Sequence, residues 1–394
     1  MTDTPGFPER GWRKRLAGAG GGVLGDVSGA FGDLGTFLPY VVVAIGAGLL
    51  APAPVFAGFA AGYLLVALVY RLPVAVQPMK AVGAVVLAGG LSGGEVAWAG
   101  AMLGAILLAL AASPVLLRAA RVIPQSVVTG LQAGLGLVLL AVAARLMGGD
   151  WLLAVAALAL LSLTWIWPRG PWALVVVVTA IAFGPALGPP LDMASVAAVP
   201  DGHAASPVTA FVSGVLPHLP LTLLNAVVLP AAVARTLYGP AARRVNERRL
   251  AATSGALNLV LAPFGAMPMC HGAGGIAGHH RFGARSLAAP LLLALLCALA
   301  AVSGAMVPAL LARIPASVVG ALLAYAAVDL LASRRLVDAR PDCRPVIAAT
   351  AIATWGLGAL AGLAAGLVAE AVRVRIRRRG AGSAAVTPSS RRWG

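Results

Sequence analysis

The stretch "PVAVQPMKAVGA" (residues 73–84) lies inside a long apolar region, yet it holds two prolines, a glutamine and a lysine. Lys80 is the only lysine after Lys14; the rest of the 29 basic residues are arginines. Proline breaks a helix, and a charge placed at such a break is costly in an apolar setting unless something is held there. The surroundings of the stretch decide whether it is a kink or a site.

Those surroundings are lipid. Of the 394 residues, 60% are hydrophobic and 11% charged, with a mean hydropathy of +0.92. A soluble domain has about 25% charged residues. Apolar stretches of bilayer-spanning length recur from about residue 22 to residue 376, too long and continuous for barrel strands. The expected fold class is an all-α polytopic membrane protein embedded in a lipid bilayer.

The net charge of +16 does not mark a nucleic-acid binder. The arginines form no basic face but punctuate the apolar segments, at Arg71, Arg118 and Arg121, Arg235 to Arg249, Arg334 to Arg344 and Arg373 to Arg379. That is the pattern of cytoplasmic loops. Cys270, Cys297 and Cys343 form no CxxC pair, so neither a disulfide framework nor a zinc site is indicated, and no cofactor or metal is expected. The hydrophilic, basic N-terminus lacks a signal-peptide apolar core and is expected to remain as a cytoplasmic tail.

The apolar segments run at 22–50, 53–70, 73–91, 95–113, 122–145, 151–167 and 172–190, then at 207–235, 248–263, 264–280, 286–303, 306–333, 345–361 and 362–376. Between the two sets lies "LDMASVAAVPDGHAASP" (191–207), acidic and without a basic residue, which is expected outside. The halves echo each other. "RVIPQSVVTG" (121–130) returns as "RIPASVVG" (313–320), and Pro315 minus Pro124 is 191. "QPMK" (77–80) returns as "MPMC" (267–270) and "FLPYVV" (37–42) as "VLPAAV" (228–233), at offsets of 190 and 191.

Seven spans is an odd number, so two copies of the unit lie in opposite orientations, as in many secondary transporters. The expected layout is a tail at 1–21, a first seven-span repeat at 22–190, an external linker at 191–206, a second repeat at 207–376 and a basic cytoplasmic tail at 377–394. Both termini fall on the cytoplasmic side, and Arg145 and Arg313 are the exceptions near the outer surface.

In inverted repeats the site lies near the midplane on corresponding broken spans. The third and tenth segments fit: after "PVAVQP" and after "APFGAMPMCHGAGG" (262–275), an extended entry gives way to a short helix. The two helix starts converge, and their free N–H groups and positive dipole ends make an anion site. Lys80 adds a full charge, and Gly272, Gly274 and Gly275 admit a ligand close to the backbone. "GDVSGAFGDLGTFLPY" (25–40) adds polar groups before Pro39, and "LTLLNAVVLP" (221–230) adds Thr222 and Asn225. The candidate substrate-binding residues are Asp33, Gly35, Thr36, Gln77, Met79, Lys80, Asn225, Met269, Cys270, His271, Gly272, Ala273 and Gly274. The competing structural roles are an ion pair of Lys80 with Asp26, Asp33 or Glu95, a hydrogen-bonded packing role for His271, and Cys270 as a small filler.

These motifs, with "PMCHGAGGIAGHHRFGARS" (268–286), resemble the molybdate transporter family, a distant branch of the SulP sulfate permease superfamily. The resemblance implies about fourteen spans, seven plus seven, in a core domain (spans 1–4 and 8–11) and a gate domain (spans 5–7 and 12–14). It also implies an oxyanion held between spans 3 and 10. Eighteen residues follow Ile376, so the cytoplasmic STAS domain of SulP permeases is expected to be absent. The function expected is secondary import of molybdate across a bacterial inner membrane, with sulfate or tungstate as the alternative cargo of the same fold. A nucleobase permease is disfavoured because no carboxylate stands near Asn225, and a membrane-embedded enzyme because no HExxH-type spacing occurs. Whether the chain works alone or as a homodimer stays open at this level.

The arginine distribution predicts that a single cysteine placed in the 191–207 loop reacts with an impermeant external reagent in intact cells, while one near either terminus does not. Labelling of that loop only from the inside would overturn the seven-plus-seven reading.

Overall fold

The computed structural model describes residues 22–46, 48–87, 90–167, 172–188, 205–331 and 334–384. The N-terminal tail, most of the 191–206 linker and the end of the C-terminal tail lie outside the described residues. The described chain is helical apart from two short strands. The first half comprises α1 (Val23–Ala30), α2 (Leu34–Gly46), α3 (Pro52–Tyr70), β1 (Gln77–Pro78), α4 (Lys80–Leu87), α5 (Gly93–Ala112), α6 (Leu116–Val122), α7 (Gln125–Met147), α8 (Trp151–Ile166) and α9 (Trp172–Leu187). The second comprises α10 (Pro207–Thr209), α11 (His218–Thr222), α12 (Leu229–Tyr238), α13 (Glu247–Leu261), β2 (Met269–Cys270), α14 (Ala273–Arg281), α15 (Ala288–Val302), α16 (Met306–Leu311), α17 (Ala316–Leu331), α18 (Arg334–Val337), α19 (Arg344–Leu357) and α20 (Ala359–Ala384).

Helix ends follow local chemistry. Ser92 and Glu95 form a reciprocal capping box at the start of α5. The Asp150 carboxylate accepts from the Leu153 N–H at 3.0 Å to start α8, and Asn246 caps α13 in the same way through Arg249. At the end of α9, the Arg313 guanidinium donates to the Ile181 and Ala182 carbonyls at 2.7 and 3.2 Å.

Several of the apolar segments are divided or distorted. The first, 22–50, divides at Asp33 into two arms bent by 53°. The 306–333 segment divides between α16 and α17, where Pro315 cannot donate to a helical ladder. Around Asn225 the helix widens into a π-helical turn, Leu223–Val228, in which the Leu229 N–H reaches the Leu224 carbonyl. Among the described residues, four helices are long and apolar enough to cross a bilayer, and the bent α1–α2 pair would make a fifth. Four more apolar helices are shorter: Trp151–Thr164, Trp172–Leu187, Ala288–Val302 and Ala316–Val328. Helices α3, α8, α9, α15 and α19 present Leu68, Leu152, Val178, Leu299 and Trp355 to the surroundings, as lipid-facing helices do.

The helices pack as two groups. In one, α3 lies along α15 and α5 along α13, with α1, α12 and α14 against them; in the other, α7 is flanked by α17, α19 and α20, with α8 and α9 on α17. Small residues set these contacts, because dispersion at short range must replace the hydrophobic effect between helices in lipid. A Cβ added at Gly104 would collide with the Leu259 backbone, and one added at Gly130 or Gly134 would strike Thr350 or Thr354. Asp26 ties the ends of two segments together, accepting from the Arg285 N–H (2.7 Å), the Ser286 N–H (3.0 Å) and the Ser286 hydroxyl (2.5 Å).

Gly104→Val forces backbone against backbone where α5 crosses α13, with a cost of about 3 kcal/mol. A clear fall in the melting temperature of the detergent-solubilised variant is expected. An unchanged melting temperature would show that the crossing has room to spread.

Candidate functional site

Proline removes a donor and pushes the residue before it into an extended conformation. Pro78 and Pro268 do this in the two halves. The freed backbone groups meet each other: β1 and β2 pair antiparallel, Gln77 opposite Cys270 and Pro78 opposite Met269. The Met79 N–H donates to the Pro268 carbonyl at 2.8 Å. The pairing is reciprocal between the repeated motifs: Pro78 faces Met269, and Met79 bonds Pro268. Each strand leads into a short helix, α4 from Lys80 and α14 from Ala273.

The pair is braced from behind. The Asn258 side-chain amide donates to the Met269 carbonyl (2.7 Å) and accepts from the Met269 N–H (2.8 Å), standing in for a third strand. His271 is fully buried, its Nδ1 3.0 Å from the Ala75 carbonyl oxygen and its Nε2 2.7 Å from the Thr253 hydroxyl. The Tyr70 hydroxyl lies 2.7 Å from the same Thr253 oxygen, and its ring meets His271 edge-on. The Gln77 amide donates to both oxygens of Asp33, at 2.6 and 2.5 Å, and both residues are buried.

In front of the strands is a cavity of about 330 Å³. Gln77, Met79, Lys80, Cys270, Gly272, Ala273 and Gly274 line it from the strands and helix starts, and Thr222 and Asn225 from the π-helical region. Side chains alternate along an extended chain, so paired residues share a face. Gln77 and Cys270 form such a pair and face the cavity, while Met269 and His271 face the core. Lys80 is half-buried at the first position of α4.

Three sequence candidates thus occupy other positions: Met269, His271 and Asp33. Met269 packs toward Gly58 and Gly62 of α3, and His271 is a bonded core residue that does not line the cavity. Asp33 stands behind Gln77, beside a second cavity of about 150 Å³ walled by Phe37, Tyr63 and Cys297. Gly35 and Thr36 fall in the first turn of α2; their side chains lie outside the described residues. Among the carboxylates weighed against Lys80, Asp26 is engaged by the 285–286 segment and Glu95 by the Ser92 cap.

Several lining residues were not picked out by their sequence pattern. Gln132 and Leu135 come from α7, His218 from α11 and Arg335 from α18. Arg335 reads as one more loop arginine, yet its Nη1 donates to the Asn225 side-chain oxygen at 3.2 Å. His218 is fully buried, and neither ring nitrogen has a partner at hydrogen-bond geometry, the Ser213 backbone being a marginal one. A histidine or an amide within an apolar helix, such as His218 or Asn258, is itself the signal that could have found them. No acidic residue lines the cavity among the described residues, and no cluster there could hold a metal ion.

The family described as "Molybdate transporter of MFS superfamily" matches residues 25–139 and 210–330, more than half of the chain. The chain belongs to the molybdate transporter family. Molybdate transporter 2 of Arabidopsis thaliana is 27% identical over 92% of this chain and 90% of its own length. Molybdate transporter 1 of the same plant is 29% identical over 87% and 86%, and that of Chlamydomonas reinhardtii 40% identical over 31% of this chain and 24% of its own. Among solved structures, the transmembrane domain of the cyanobacterial bicarbonate transporter BicA superposes with a TM-score of 0.63 at 16% identity, covering 86% of this chain and 96% of that one. SLC26A9 gives 0.64 at 15%, covering 90% and 66%. This molybdate transporter family member therefore has the fold of the SulP and SLC26 transporters, and its relatives are transporters, not enzymes.

The glycines at the start of α14 separate packing from site. A Cβ on Gly274 meets nothing within 4 Å, whereas one on Gly275 lands 2.5 Å from the Ala75 Cβ and 2.6 Å from Asp33 Oδ2. Gly274→Val is expected to fold normally and lower transport about tenfold, the effect of ~1.4 kcal/mol of steric interference. Gly275→Val is expected to lower the melting temperature as well. Melting curves and uptake on both purified proteins check this; normal uptake by a stable Gly274→Val variant would remove this helix start from the transport route.

Proposed function

We propose that the protein is a secondary active transporter importing a tetrahedral oxyanion, most simply molybdate, held in the cavity between the starts of α4 and α14. The observation that carries the reading is the charge of the lining: Lys80 and Arg335 face a cavity with no carboxylate among its described lining residues. Two half-helix starts adjoin the same space, with first-turn N–H groups that have no intrahelical partner. Neutral Gln77, Gln132, Thr222 and Asn225 supply hydrogen bonds. The size supports a small ligand, since a volume of about 330 Å³ admits a tetrahedral oxyanion and a few waters, each taking roughly 30 Å³.

In this reading the halves form a seven-plus-seven inverted repeat with about fourteen spans crossing a bacterial cytoplasmic membrane, both termini inside. The α3–α5–α13–α15 group is the core and the α7–α17–α19–α20 group the gate, and rocking of one against the other alternates access to the cavity. The reciprocal pairing of the two repeated motifs and the position of the cavity, lined from both α14 and α7, support this. Sulfate and tungstate share the shape and charge of molybdate, and the relatives' names favour molybdate.

A fixed ammonium at about 4 Å from a unit negative charge is worth about 4 kcal/mol at an effective dielectric near 20. Lys80→Gln is therefore expected to lower apparent affinity by roughly tenfold to several hundredfold with expression intact, and Lys80→Arg to restore part of it. Uptake into proteoliposomes, with molybdate, tungstate and sulfate in competition, measures this. Unchanged affinity in a stable Lys80→Gln protein would exclude the anion-site role. Loss of expression in Lys80→Gln, cured by Asp33→Asn, would make Lys80 a structural partner instead.

A further inference from the structure

We propose that Arg335 is a second anion ligand, oriented by Asn225, and that it gives the cavity its preference for doubly over singly charged oxyanions. The inference rests on the anion-cavity reading and adds a residue and a selectivity to it.

The position of Arg335 is unusual for a loop arginine. It follows α17 by a few residues, on the four-residue helix α18. Lys80 starts α4, which packs on α2 and α7, so the two cations reach one cavity from separate segments of the chain. Arg335 is half-buried, and among the described residues no carboxylate lies within ion-pair distance of it. Its described polar partner is neutral: Nη1 donates to the Asn225 Oδ1 at 3.2 Å. One N–H of the planar fork is thereby fixed, and the other donors of a guanidinium, five in all, stay available to a ligand. The π-helical turn at Leu223–Val228 is what carries Asn225. Asn225 is thus a positioning residue for Arg335.

The charge arithmetic yields the selectivity. Interaction with a fixed cation scales with ligand charge, so removing one cation costs a dianion twice the free energy it costs a monoanion of the same shape. In affinity, the dianion's fold-loss is then about the square of the monoanion's. Perrhenate is a tetrahedral monoanion close in shape to molybdate and serves as the probe.

The full-length protein is reconstituted, and molybdate uptake is measured with perrhenate as competitor for wild type, Arg335→Gln, Arg335→Lys and Lys80→Gln. Arg335→Gln is expected to weaken molybdate about thirtyfold and perrhenate about fivefold, and Arg335→Lys to keep the wild-type ratio at lower affinity. Wild-type affinity for molybdate in Arg335→Gln, or equal fold-loss for both anions, would overturn the proposal. If Arg335→Gln does not insert, Arg335→Met replaces it, since an apolar side chain is tolerated where a buried ion was. Failure of both neutral variants alongside a folded Arg335→Lys would assign the charge to folding and also overturn it. Lys80→Gln separates the two readings: if it weakens molybdate while Arg335→Gln does not, the cavity is the site and only the role of Arg335 falls.

Discussion

Backbone polar groups left bare at membrane depth cost several kilocalories per mole each, and there is no water to relieve them. Pro78 and Pro268 break their helices and expose such groups in both halves of the chain. The β1–β2 pair and the Met79 to Pro268 hydrogen bond let each break satisfy the other. From that crossing follows the rest of the centre: two helices start beside it, their first-turn donors share one space, and one face of the pair becomes a cavity wall. Asn258 closes the free edge of β2, which would otherwise present the same problem again.

Behind the crossing, polar side chains act as scaffolding. Asp33 holds Gln77, and the His271–Thr253–Tyr70 chain pins the strand run that precedes α14. A buried network with its partners in place fixes one arrangement, and removing a member leaves an orphaned group at the centre of the membrane domain. The cavity face differs in kind. Its cations, Lys80 and Arg335, come from separate segments of the chain, and bringing like charges together in a poorly hydrated space is favourable chiefly when an anion lies between them.

The two groups are themselves held by close approach. Gly104 against the α13 backbone, and Gly130 and Gly134 against Thr350 and Thr354, bring helices near enough for dispersion to hold them in lipid. The cavity lies between groups built this way, so motion of one group against the other would change its walls without unpacking either.

Much of this was legible in the residues. Hydropathy gave the helical membrane class, the prolines gave the breaks, and the offset of 190 to 191 joined the two breaks before any coordinates. Lys80, Gln77, Cys270 and the glycine run were found because unusual residues at a break stand out against an apolar background. Tertiary structure alone decided which way each side chain faces. The alternation along a strand has period two, but its phase is fixed by pairing with a strand 191 residues away, and that phase sends Cys270 to the cavity and His271 to the core. Arg335 was hidden for the same reason. In sequence it is one arginine among many in a loop; its bond to Asn225 spans 110 positions, and only folding brings the two together.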